Sequence, residues 1–220
     1  MTAPALHLPP EVALDYANGN CSEALSLAAA SHLTFCAVCR DAVTEHERRA
    51  QALIESLPGV PLAETSLEQT LARLDEPFAA PAAPVPLDLP ADLRSLPLPV
   101  QQHAAALVDR RWRLLAPGVR AITLPLQSST PTTARIIRFR PGFVIPLHDH
   151  EGPEYTVVFS GGIAESGTLA RRGDMIVRAP GDRHTQKITD DETCIALVVN
   201  EAPLIPLTFK GRLLRLVTRL

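Results

Sequence analysis

The chain has 220 residues, 46% of them apolar and only 4% aromatic, long enough for one large folded unit or two small ones. Its net charge of −3 is uneven: residues 1–80 carry 11 acidic and 4 basic side chains, whereas residues 81–220 carry 13 and 17. An acidic first part argues against direct nucleic-acid binding, which needs basic groups on phosphates. No apolar run reaches the roughly 18 residues a membrane helix needs, and no leader-like segment opens the chain.

Three of the four cysteines fall in the first 39 residues at irregular spacing, unlike a secreted disulfide framework. A cytoplasmic protein with reduced thiols is expected. Pro9-Pro10 open a first helix over 11–16, and Asn18-Gly19-Asn20 end it. An alanine- and leucine-rich run predicts a second helix over 22–32. A third follows Cys36 to about residue 57, with Ala42, Val43, Ala50, Leu53, Ile54 and Leu57 as its apolar stripe. A fourth opens at Ser66 with Gln69 three residues on and stops near residue 74. Residues 1–80 thus read as a small helical bundle with a thin core, the kind that benefits from a metal staple.

The stretch that would supply it is His32-x3-Cys36-x2-Cys39. On one helical face, positions i, i+4 and i+7 point the same way. Imidazole and thiolate together suit zinc, which wants four ligands. The fourth must come from elsewhere; His7 is the leading candidate and Cys21 the alternative. Cys-x2-Cys also suits a redox dithiol, but the βαβ context of such a motif is missing. The acidic surface of this part suits docking on a basic protein.

Residues 77–99 contain seven prolines. That density predicts a semi-extended linker, placed at 81–100, between two parts that fold separately. Beyond it the pattern changes to short Val-, Ile-, Thr- and Leu-rich runs at 111–116, 119–126, 133–140, 155–160, 174–178, 184–188 and 193–199. Glycine and proline punctuate them, as in an antiparallel barrel or sandwich over 101–220. The tail 209–220 sets Lys210, Arg212, Arg215 and Arg219 among leucines and reads as a cover for the barrel.

Within the strand-rich part lies Gly142-x5-His148-x-His150-x3-Glu154-x6-Gly161, followed by Gly173-x5-Ala179-Pro180-Gly181-x2-His184. His148 and His150 are two apart and face one side of a strand. Three imidazoles and a carboxylate converging inside a barrel would hold a divalent metal.

These two stretches resemble the paired motifs of the cupin superfamily, with Ala179 standing where the pattern usually has proline. A His-x3-Cys-x2-Cys helical part before a cupin resembles the ChrR family of zinc-binding anti-sigma factors. The resemblance implies an α + β protein: a zinc-stapled helical bundle, then a jelly-roll-like antiparallel barrel. It implies His7, His32, Cys36 and Cys39 as zinc ligands, and His148, His150, Glu154 and His184 around a second divalent metal, zinc again by preference. It further implies that the acidic part binds an extracytoplasmic-function-type sigma factor and keeps it from core RNA polymerase. Singlet oxygen or organic hydroperoxide would end the inhibition through the cupin. The alternative is a cupin dioxygenase or isomerase with a helical interaction domain.

Overall fold

A computed structural model describes residues 3–75, 89–107, 111–126 and 132–207. Helix α1 (Pro10–Ala17) starts on proline, whose missing N–H costs nothing at that position. Helix α2 (Glu23–Leu33) is capped by Ser22, whose hydroxyl accepts the Leu25 N–H at 3.2 Å. Helix α3 (Ala37–Glu55) takes Cys36 as its N-cap. His32, Cys36 and Cys39 therefore do not share one continuous helix. The chain breaks at Thr34-Phe35, with His32 in the last turn of α2 and Cys39 in the first turn of α3.

Only Cys39 and Val43 of α3 are buried. The expected stripe does not continue, because Leu53, Ile54 and Leu57 are 66–70% exposed. Helix α4 (Ser66–Ala72) buries nothing. The second half of α3 and α4 thus form an arm that the remaining described residues do not cover.

The proline-rich stretch is not a linker throughout. Residues 81–88 lie outside the described residues, but α5 (Ala91–Arg94) and α6 (Leu98–Ala105) follow. Pro90 and Pro97 sit at the N-caps, where proline leaves the helix intact, and Pro99 lies within the first turn of α6. Leu89, Leu93, Leu96 and Val100 are all buried. Trp112 Nε1–H donates to Asp92 at 2.5 Å and ties α5 to the first strand.

The strands are β1 (Arg113–Ala116), β2 (Val119–Leu124), β3 (Thr133–Phe139), β4 (Val144–His150), β5 (Glu154–Ser160), β6 (Ile163–Glu165), β7 (Thr168–Ala170), β8 (Met175–Arg178), β9 (His184–Ile188), β10 (Cys194–Asn200) and β11 (Leu204–Pro206). One sheet runs β1-β2-β3-β10-β5-β8 and the other β11-β4-β9-β6-β7, with every pairing antiparallel. Val158 and Ile176 from the first sheet meet Ile163 and Ile188 from the second in one buried cluster. The fold is the helical part plus antiparallel cupin-like domain expected. The basic tail 209–220 lies outside the described residues.

The two parts do not have separate cores. Helix α2 packs on β5, β10 and α6. Val12, Leu27, Leu93, Val100, Ile136 and Leu197 belong to one apolar cluster spanning helices and sheet. The physical reason is α2 itself: Ala24, Ala28 and Ala29 give it a thin face that lets it lie close on the sheet. Among the described residues no helix is long and apolar enough to cross a membrane. Leu93→Ala should test the burial of the proline-rich stretch. We expect a loss of about 2–5 kcal/mol in urea unfolding, as for a core leucine and unlike a linker residue.

Candidate metal centres

The first centre forms where four segments meet. The ligand atoms of His7, His32, Cys36 and Cys39 all lie within 4.8 Å of one another. His7 Nδ1 is 3.2 Å from Cys36 Sγ and 3.7 Å from Cys39 Sγ. The Leu8 and Cys39 N–H groups donate to Cys39 Sγ and Cys36 Sγ, each at 3.4 Å. Cys36 and Cys39 also lie at the start of α3, where the helix dipole favours negative sulfur. Burial pushes the Cys39 thiol up to about 11, and the Leu8 N–H only partly opposes it. A cation among the sulfurs would reverse that balance and displace the proton.

His32 carries the fit test for a metal. Its Nδ1 is 2.7 Å from the Gly173 carbonyl and therefore donates to it. Its Nε2 is buried with no hydrogen-bond partner. A buried nitrogen with a free lone pair beside two sulfurs is costly unless something electrophilic takes it. Burial also lowers the His32 pKa, with the Gly173 bond opposing, which keeps the ring neutral and able to ligate. Two imidazoles and two thiols fit a tetrahedral zinc site. Cys21 is not in this group; its thiol reaches the Val12 carbonyl at 3.9 Å instead.

The second centre lies in the barrel. His148 and His150 alternate on β4, and His148 is the direct cross-strand partner of His184 on β9. The β4–β9 register shifts between Ile145 and His148. Such a bulge re-aims side chains, and His148, Asp149 and His150 are buried one after another beyond it. The ligand atoms of His148, His150 and His184 lie within 4.8 Å of one another. His148 Nδ1 bonds the Pro146 carbonyl at 2.8 Å and His184 Nδ1 bonds Glu165 at 2.9 Å. Both rings then present Nε2 inward, the arrangement metal-binding histidines use. His150 Nε2 and His184 Nε2 approach to 2.7 Å. Burial, then the neighbouring imidazoles, push His150 down to about 4, and burial lowers His148 as well. Three convergent imidazoles, with His148 and His150 held neutral by burial, fit a divalent ion.

Glu154 does not join this trio as the motif suggests. Its carboxylate comes only to 3.9 Å of His150 Nδ1, on the far side from the convergent nitrogens. Full burial raises it to about 7, against a weak opposing bond from Thr156. The carboxylate that touches the trio is Glu165, on β6. Burial pushes Glu165 up, but bonds from Arg178, Gln186 and His184 outweigh it and hold the carboxyl below its usual value. Glu165 was not singled out from the sequence. It follows no motif spacing, and only the β6–β9 pairing brings it to His184.

Residues 100–204 match the ChrR Cupin-like domain family. The anti-sigma-E factor ChrR of Cereibacter sphaeroides is 32% identical over 199 residues, 90% of each chain. The chain belongs to the ChrR family. The crystal structure of Rhodobacter sphaeroides SigE in complex with the anti-sigma ChrR matches with a TM-score of 0.73 at 28% identity. It covers 90% of this chain and 99% of that one. The ChrR likeness therefore extends beyond the barrel and takes in most of the helical part.

Glu154→Gln isolates one titration. A carboxyl raised in the folded state adds stability below its ordinary value of 4.5 and loses it as pH rises through about 7. In chelator-treated protein, the stability of wild type relative to the variant should fall across that window, by roughly 3 kcal/mol. A flat difference from pH 4.5 to 8 would show that Glu154 is not buried as an unpaired acid.

Proposed function

We propose that this protein is a cytoplasmic anti-sigma factor. It binds an extracytoplasmic-function-type sigma factor, keeps it from core RNA polymerase, and lets go under oxidative stress by singlet oxygen or organic hydroperoxide. The observation that carries this reading is the likeness, over 90% of the chain, to a ChrR crystallised with SigE. Family membership favours a regulator over the cupin-enzyme alternative.

The molecule's surface supports it. Leu53, Ile54, Leu57, Val60, Leu67 and Leu71 are each more than half exposed, all within α3, α4 and their connection. Exposed apolar residues this concentrated mark a protein-interaction surface. Residues 1–80 also carry the negative charge that suits a promoter-binding partner.

We assign residues 1–80 to the sigma factor and residues 101–220 to sensing. Zinc is assigned to His7, His32, Cys36 and Cys39. A divalent metal, zinc by preference, is assigned to His148, His150 and His184, with Glu154 as a fourth ligand if its carboxylate swings inward. Zinc would supply a cross-link that holds α2, α3 and the N-terminal segment in one shape. The chain's own part is to hold the outer nitrogens of His32, His148 and His184 on Gly173, Pro146 and Glu165.

The decisive experiment is a transcription assay from a sigma-dependent promoter with the full chain. Inhibition is expected; its absence with every sigma factor of this class from the host would refute the reading. Leu57→Asp with Leu71→Asp should weaken inhibition by about tenfold or more without lowering the melting temperature, because both side chains face solvent. His148→Ala with His150→Ala should leave inhibition in place and blunt its relief by organic hydroperoxide.

A further inference from the structure

The first centre is not built by helices alone. Gly173 and Asp174, the two residues before β8, both reach it. Asp174 is 3% exposed. Its Oδ1 accepts the Ala5 N–H at 2.6 Å and the Leu6 N–H at 2.9 Å, while Oδ2 accepts the Arg171 N–H at 2.7 Å. The Met175 N–H donates to the Leu6 carbonyl at 3.1 Å. Residues 5 and 6 are thus clamped to the barrel from both sides of their backbone. The next residue is His7.

The imidazole of His7 is exposed, so packing does not hold it. What fixes it is the backbone on either side. Upstream is the Asp174 clamp; downstream, Leu8 is buried and bonded to Cys39 Sγ. Gly173 completes the contact. It adopts φ +91°, and a Cβ there would come within 2.8 Å of Phe35 Cβ and 2.9 Å of Pro4 Cγ. Only glycine lets the barrel turn approach closely enough for its carbonyl to meet His32.

We infer that Asp174 is a positioning residue of the first metal centre: the barrel holds His7 in ligating position through the Asp174 carboxylate. The inference rests on the reading that His7, His32, Cys36 and Cys39 hold zinc. A carboxylate accepting several backbone N–H groups makes strong, directional bonds. Without it, Ala5 and Leu6 lose their anchor and the exposed His7 ring is free to leave the sulfurs. Outer-shell partners of this kind commonly change metal affinity by about 10–100-fold.

The test uses full-length protein with cobalt(II) as a spectroscopic stand-in for zinc, plus zinc competition with a chelator. The sulfur-to-cobalt charge-transfer band reports only a centre that contains thiolates, so a metal in the barrel is silent there. Asp174→Asn should weaken zinc by about tenfold and shift the cobalt spectrum in the same direction as His7→Ala. Combined with His7→Ala, it should add almost nothing, because it acts through His7. Ala5→Pro removes the donor of one clamp bond from an exposed position without touching the barrel, and should reproduce part of the loss. Wild-type affinity in both Asp174→Asn and Ala5→Pro, or losses that add to that of His7→Ala, would overturn the inference while leaving the ligand set intact. A His7→Ala protein with the wild-type spectrum would overturn the ligand set itself and the inference with it.

Discussion

The bond from His32 Nδ1 to the Gly173 carbonyl is the contact on which the rest depends. As a hydrogen bond it is worth only about 1 kcal/mol net. Its larger effect is to choose the tautomer. With Nδ1 donating, Nε2 must carry the lone pair, and that nitrogen faces the Cys36 and Cys39 sulfurs with no other partner. The same bond fixes where the end of α2 meets the barrel. The close seat of α2 on β5 and β10, made possible by its alanines, brings His32 within reach. Core packing and ligand chemistry are therefore settled at one place.

The barrel centre is ordered by a different constraint, strand register. His148 faces His184 because β4 and β9 pair at that residue, and His150 joins them by two-residue alternation. A slip of one residue on either strand would turn these side chains to the opposite face. Glu165 and Arg178 then act as a buried pair behind His184, at 2.7 Å with both side chains mostly covered. Removing one partner of such a pair leaves an uncompensated charge in a low-dielectric interior. The pair thus fixes the face of His184 turned away from the convergent nitrogens.

Much of this was legible from residue types and spacing. His32-x3-Cys36-x2-Cys39 and the two barrel histidines announce themselves because ligands close in sequence share a turn or a strand face. His7 was reachable by asking which remaining side chain could complete a set of four. Glu165 was not, since nothing local links it to His184 across the β6–β9 pairing. The motif pointed to Glu154 instead, and the backbone leaves that carboxylate behind the His150 ring rather than among the nitrogens. Proline density misled at residues 89–105 because proline at a helix start is compatible with helix, and the leucines between the prolines are the ones that pack. The apolar periodicity of α3 misled in the other direction. Periodicity identifies a face that wants burial, but not whether the same chain supplies the cover.

Access to the sulfurs follows from these placements. Cys36 and Cys39 are 1% and 4% exposed, so a dissolved oxidant has no open path to either. Thiolate oxidation needs approach as well as charge. Of the four side chains around the centre, only that of His7 faces solvent. It borders a cleft of about 360 Å³ whose lining also includes Glu165 and Arg178. The outward ligand of the first centre and the outer contacts of the second therefore open on one space. The segment carrying His7 is held to the barrel chiefly by Asp174, while the sulfurs and His32 are held by buried helix ends. His7 is thus the one of the four whose place depends on bonds between the N-terminal segment and the barrel rather than on a helix end.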